Sequence, residues 1–244
     1  MKMKKLCIMI VCGFILLCGC QKQNAPNPEG TADAPDEPGT SAMDAYIGVL
    51  TSDTALHLYP HYANGYSDDA AQADNQGIPT LLNDLPSSHY DNTYTWTVSR
   101  YSIVDLDKDG TPEIVVELSL AGEQLIFHYT GSSVYAYPFS QRGMNTLKED
   151  GTYCASNGAA YSYINTLKFE GHVCKRETVA YSDTEPNEQG ELQNVYYSGN
   201  EPITANAFSA LLDAHNAKTD VTWHTYTAET APADFAAAWA AYTK

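Results

Sequence analysis

The chain has 244 residues, 13 basic against 30 acidic, and a formal net charge of −17. Phosphate binding needs clusters of lysine and arginine; the sequence has no such cluster, which excludes nucleic acid and anionic headgroups as partners of its charge. Eighteen tyrosines and a 43 % hydrophobic content exclude a chain too polar to build a core.

The first twenty residues, MKMKKLCIMIVCGFILLCGC, have a basic front (Lys2, Lys4, Lys5) and an apolar run from Leu6 to Leu17. Twelve residues are too few for a mature membrane span, which needs about 20, and they suit the central part of an export signal. Leu17-Cys18-Gly19-Cys20 resembles the bacterial lipobox. That resemblance implies cleavage before Cys20, lipid modification of its thiol (diacylglyceryl and palmitate chains) and anchoring to the outer face of a bacterial membrane. Cleavage would remove three of the 13 basic residues and no acid, leaving 10 against 30 and a net charge of −20. Residues 21–40, QKQNAPNPEGTADAPDEPGT, hold four prolines, two glycines and no large apolar side chain. Such a stretch cannot bury a core and reads as a disordered tether.

Residues 41–244 are expected to form a single α+β domain with a mainly antiparallel sheet, an N-terminal helix and two C-terminal helices. Ser41 and Asp44 form a capping-box pattern ahead of a helix with Met43, Ile47 and Leu50 on one face. YPHYANGYSDDAAQADNQGIP, residues 59–79, reads as a long polar loop. YTWTVSRYSIV alternates and reads as a strand running into an aspartate loop, and EIVVELSL leaves the loop as another strand. EQLIFHYTGSSVYAYPF is a hairpin turning at Gly131. Residues 151–182 supply two or three more strands with a turn at Gly171. Thr204 caps a helix carrying Phe208, Leu211, Leu212 and His215 on one face, and Pro232 opens a helix with a Phe235, Trp239, Tyr242 stripe.

Between the two strands stands YSIVDLDKDGTPEIVVEL. Asp105, Asp107 and Asp109 occupy alternate positions and Gly110 follows, so the carboxylates of one tight loop converge on a point suited to calcium. The Thr111 carbonyl and the Glu113 side chain complete the candidate metal ligands. The motif resembles the DxDxDGxxD/E calcium loops of EF-hands, dockerins and FG-GAP or VCBS repeats. Val116 stands where an EF-hand has its bidentate glutamate, Pro112 lacks an N–H, and the flanks are strands, so a β-hairpin calcium loop is expected. Magnesium is the rival ion. An acidic turn without an ion is the other reading, although three crowded carboxylates repel unless neutralised. Lipobox, tether, aspartate loop and EPITANAFSALLD together look similar to a group of bacterial surface lipoproteins, a resemblance that implies no particular activity.

Cys154 and Cys174, the only cysteines after residue 20, read as a candidate disulfide in an exported chain; two reduced buried thiols are the other reading. No hydrolase, zinc-protease, phosphate-loop or dinucleotide motif occurs. His57 and His61 are four apart but Pro60 intervenes, and His128 and His215 lack recognisable partners. Tyr59, Tyr62, Tyr66, Tyr90, Tyr94 and Trp96 are candidates to line a sugar or peptide groove. The functional expectation is a monomeric, membrane-anchored binding or scaffold module with a structural calcium site and a glycan or protein ligand. No catalytic residue is assigned. A cell-envelope hydrolase with unlinked acids and histidines is the alternative; a two-lobed transport binding protein is disfavoured for lack of repeated βαβ units.

Overall fold

The computed structural model describes residues 41–51, 54–59, 72–74 (backbone only), 97–119, 123–140, 142–158 and 161–243. The signal-like segment, Cys20, the tether, His61 and the groove candidates Tyr62, Tyr66, Tyr90, Tyr94 and Trp96 lie outside the described residues.

Chain order begins α1 (Ala42–Thr51), β1 (Leu56–Leu58), β2 (Gln72–Asp74), β3 (Val98–Val104), β4 (Glu113–Leu118), β5 (Gln124–Tyr129) and β6 (Val134–Phe139). It continues β7 (Tyr153–Ser156), β8 (Ser162–Glu170), β9 (Val173–Pro186), β10 (Leu192–Ser198), β11 (Glu201–Ile203), α2 (Ala205–Asn216), β12 (His224–Thr225) and α3 (Ala231–Tyr242). The architecture is α+β and mainly antiparallel sheet, as the sequence pattern predicts. It differs in having two sheets. One runs β12-β3-β4-β5-β6-β1-β2, the other β11-β10-β9-β8-β7. The parallel pairing of β1 with β6, and the β1–β2 ladder reaching into the expected polar loop, are likewise additions.

Local signals set the ends of the elements. The Ser41 hydroxyl donates to Asp44 Oδ2 at 2.7 Å and accepts the Asp44 N–H at 3.2 Å, which starts α1. Thr204 Oγ1 accepts the Ala207 N–H at 3.2 Å, satisfying one of the unpaired amides that begin α2. Gly131 and Gly171 take positive φ at the two predicted hairpin turns.

Packing explains the near-continuous apolar runs of β4 and β5. One face of the larger sheet, with Tyr101, Ile114, Val116, Leu125 and Phe127, packs on Tyr46, Val49 and Leu50 of α1 and on Phe235 and Ala238 of α3. The opposite face, with Val104, Val115, Ile126 and Tyr137, packs on Met144, Leu147, Tyr153, Leu167 and Cys174. These central strands are covered on both sides, so their alternation is masked. Tyr46 and Val49 join Leu50 as the buried face of α1, while Met43 and Ile47 are half-buried. The outer face of the smaller sheet receives α2 through Ile164, Ala180 and Phe208.

Cys154 and Cys174 are free thiols, which corrects the disulfide expectation. Cys154 pairs opposite Ile164 and Cys174 opposite Phe169, five residues further along β8. At about 3.3 Å per residue that separates them by roughly 16 Å along the strand direction, well beyond bridging distance. Burial raises the Cys174 pKa, so this thiol is unreactive.

Candidate metal site

The loop between β3 and β4 brings Asp105, Asp107 and Asp109 together: one ligand oxygen from each lies within 4.8 Å of the others. Calcium–oxygen distances of about 2.3–2.6 Å place two ligands of one ion no more than about 5 Å apart, so the spacing suits a single cation. Positive φ at Lys108 (65°) and Gly110 (94°) folds the chain back. The Asp109 N–H is shared by Asp105 Oδ1 at 3.1 Å and Asp107 Oδ1 at 3.2 Å. The Gly110 N–H donates to Asp105 Oδ2 at 3.1 Å, and the Thr111 N–H to Asp109 Oδ1 at 2.6 Å.

Three neighbouring segments hold this loop. The Asp105 N–H donates to the Tyr242 hydroxyl of α3 at 2.8 Å. Asp107 Oδ2 accepts the Phe169 N–H of β8 at 3.2 Å, and Lys108 Nζ donates to the Glu149 carbonyl at 2.9 Å. Leu106 enters the core between the sheets. Its carbonyl passes so close to Gly151 (φ 81°) that a Cβ there would lie 2.5 Å from the oxygen. Only glycine fits.

Glu113 is placed behind the triad. It sits opposite His128, one step beyond the Ile114–Phe127 pair of β4 and β5, and both side chains point into the layer between the sheets. Glu113 is 0 % exposed and His128 5 %. Glu113 Oε2 accepts the Leu106 N–H at 2.8 Å, and Oε1 lies 2.9 Å from His128 Nδ1. His128 Nε2 lies 3.1 Å from the Gly171 carbonyl, and its ring stacks on Phe169 at 4.2 Å. Burial pushes the Glu113 carboxyl up to about 7, outweighing the hydrogen bonds from His128 and Leu106 that favour its charged form. The contacts leave one proton between Oε1 and Nδ1 while Nε2–H donates to the Gly171 carbonyl. Glu113 therefore braces the loop from inside rather than joining the three aspartates. Sequence reasoning left His128 without a partner. The signal available was parity, since both residues lie equally far from the β4–β5 connection.

The other sequence candidates have structural roles. His57 is on β1, not a helix, and stacks on Tyr135 at 4.6 Å. Tyr59 is fully buried, stacks on Tyr137 at 4.8 Å, and donates its hydroxyl to the His172 carbonyl at 2.6 Å, so it is core rather than groove. His215, buried on α2, meets Thr152 Oγ1 at 3.2 Å and the Thr146 carbonyl at 3.1 Å; desolvation holds its pKa below the ordinary value. Buried Lys148 donates to the carbonyls of Asn216 and Lys218, both at 3.1 Å, and to Asp220 at 2.6 Å, closing the C-terminal end of α2. Missed by the sequence reading is a row of stacked tyrosines across the smaller sheet, Tyr163, Tyr181 and Tyr197, with centroid distances of 6.2 and 4.8 Å.

Comparison with models of known protein families, with curated proteins and with solved structures finds no match to this chain.

Proposed function

We propose that the chain is a membrane-anchored extracytoplasmic binding or scaffold module whose fold is pinned by one calcium ion at Asp105, Asp107 and Asp109. The observation that carries the metal half is the convergence of three carboxylate oxygens within 4.8 Å on a loop tied to β8, α3 and the turn at Glu149. The Thr111 carbonyl and water would fill the remaining positions of a six- to eight-oxygen shell. The ion's role is mechanical: it neutralises three like charges in one turn and fixes the junction between the two sheets.

Loops of this type in extracellular modules bind calcium at about 10⁻⁴ to 10⁻³ M. Calcium at ten times its dissociation constant then stabilises the fold by about 1.4 kcal/mol. Titrating calcium into chelator-treated protein while following the melting temperature tests this. An upward shift that Asp107→Ala abolishes is the expected result, and an unmoved midpoint overturns it. The anchor is read separately: radiolabelled palmitate should enter the wild-type chain in a lipoprotein-processing host and not the Cys20→Ala variant.

A further inference from the structure

The hairpin of β9 and β10 ends in open solvent: Glu185, Pro186 and residues 188–194 are exposed, Leu192 at 74 %. β10 pairs with β9 along its whole length, Leu192 to Ser198, but β11 meets it only over Tyr196, Tyr197 and Ser198. Over Leu192, Gln193, Asn194 and Val195 no strand among the described residues lies on the β11 side. Alternate backbone N–H and C=O groups of that stretch therefore face outward with no ladder to meet them. Proteins commonly blunt such an edge with lysine, proline or a bulge. Here the stretch LQNV has no charge, no proline and no register shift against β9.

The charge around this edge is of one sign. Residues 177–217 hold seven acids and no lysine or arginine. Asp183 and Glu185 stand opposite Val195 and Gln193 and share their face of the sheet. Glu188 and Glu191 lie in the connecting turn and Glu201 on β11. Among the described residues none of these five acids is in an ion pair. Glu185 accepts the Tyr197 hydroxyl at 2.8 Å, which leaves its charge in place. The basic residues of β9, Lys175 and Arg176, stand seven or more residues back along the strand, and Lys175 is paired with Glu170. The geometry points to a docking edge for an extended basic polypeptide segment of a partner protein. The segment adds as a strand beside Leu192–Val195, with lysine or arginine at alternate positions towards the Asp183 and Glu185 face and apolar side chains between them towards Leu192. Main-chain bonds supply the affinity and the alternating side chains the choice of partner. A second copy of the chain fits less well, because edge-to-edge pairing brings the carboxylates of two hairpins together, and a field of one sign attracts cations while repelling another acidic chain.

The inference rests on the binding-module half of the function proposed above, names its partner, and is independent of calcium. Its test uses the full chain in mild detergent and three labelled octapeptides with blocked ends. The first alternates lysine and valine, and the second alternates glutamate and valine. The third is the lysine–valine peptide methylated on every backbone nitrogen, which keeps the charge and loses the donors. Binding is read by fluorescence anisotropy, with calcium and again with chelator. Saturable binding of the lysine–valine peptide is expected, at least about tenfold tighter than either control. Glu185→Gln, Glu188→Gln and Glu191→Gln together should weaken it about tenfold, about two- to threefold for each exposed ion pair lost. Leu192→Lys, which places a cation on the open edge, should weaken it as far with an unmoved melting temperature. No saturation, equal binding of the methylated peptide, preference for the glutamate peptide, or binding unchanged in both variants overturns the proposal. So does a dimer in analytical ultracentrifugation that Leu192→Lys dissociates while the lysine–valine peptide fails to bind, since the edge then takes a second copy. Peptide binding that survives chelation in a protein whose melting ignores calcium overturns the metal reading alone; calcium-dependent melting without peptide binding overturns this one alone.

Discussion

Glu113 and Glu117 stand four residues apart on β4 and point to the same side of the sheet, yet they live in opposite circumstances. At the loop end, Glu113 is sealed, and both its oxygens and both ring nitrogens of His128 are engaged. At the far end, the Glu117 side chain keeps 21 % of its exposure, and the Arg100 guanidinium that grips its carboxylate keeps 43 %. One strand thus carries two acids of the same type with different jobs. Where burial and hydrogen-bond satisfaction are complete, the group specifies the fold; where water reaches the pair, its charge attraction is screened and weak.

Breaking the sealed end should hurt most. Glu113→Ala strips His128 Nδ1 of its partner and orphans the Leu106 N–H, at about 1–3 kcal/mol for each buried polar group left unpaired. Denaturant unfolding measures it, and a loss below about 1 kcal/mol would show the pair to be dispensable. Glu113→Gln sharpens the point, because its amide can donate to Nδ1 and accept from Leu106 as the protonated acid does, so most of that loss should be recovered. The same pair sets a pH dependence. The folded carboxyl titrates near 7 and the unfolded one near an ordinary glutamate value of about 4.3. Between those values the folded state holds more protons, so stability is full below about 4.3 and falls as pH rises through about 7. The wild-type minus Glu113→Gln difference should trace that decline, by at most about 4 kcal/mol at 1.36 kcal/mol per pH unit; a flat difference would remove the protonated acid from the account. Gly151→Ala comes next. It forces a side chain against the Leu106 carbonyl at positive φ and should cost about 2 kcal/mol, with the loop's calcium response weakened alongside.

How much of this could be read in advance follows the range of each interaction. The Ser41 and Thr204 caps, the turns at Gly131 and Gly171, and the strand–loop–strand about the three aspartates are set by residues within a few positions of one another, and the structure has them where the pattern puts them. The split into two sheets and the parallel β1–β6 pair depend on contacts far apart in sequence, which periodicity does not encode. The pairing of Glu113 with His128 depends on the register of β4 against β5, fixed by the length of their connection. The same limit produced the disulfide expectation: Cys154 and Cys174 are twenty residues apart in the chain, but β7, β8 and β9 carry them to different strands at different heights. Trp223 and Arg100 meet only because the segment before β12 returns to the edge of the larger sheet.

The smallest expected effect closes the comparison. Glu117→Gln removes one charge of the Arg100–Glu117 pair, whose side chains are 43 % and 21 % exposed. Water reaches both groups, so the charge attraction is screened and a pair of this kind is worth about 0–1 kcal/mol. The glutamine retains the shape and one acceptor for the guanidinium, and Arg100 keeps its place over Trp223. Unfolding of Glu117→Gln should therefore stay within about 1 kcal/mol of wild type, several-fold below the loss at Glu113→Ala on the same strand and face. A loss equal to that of Glu113→Ala would mean that the far end is as structural as the loop end, and the division of β4 into a sealed, bracing half and a solvent-reached half would fail.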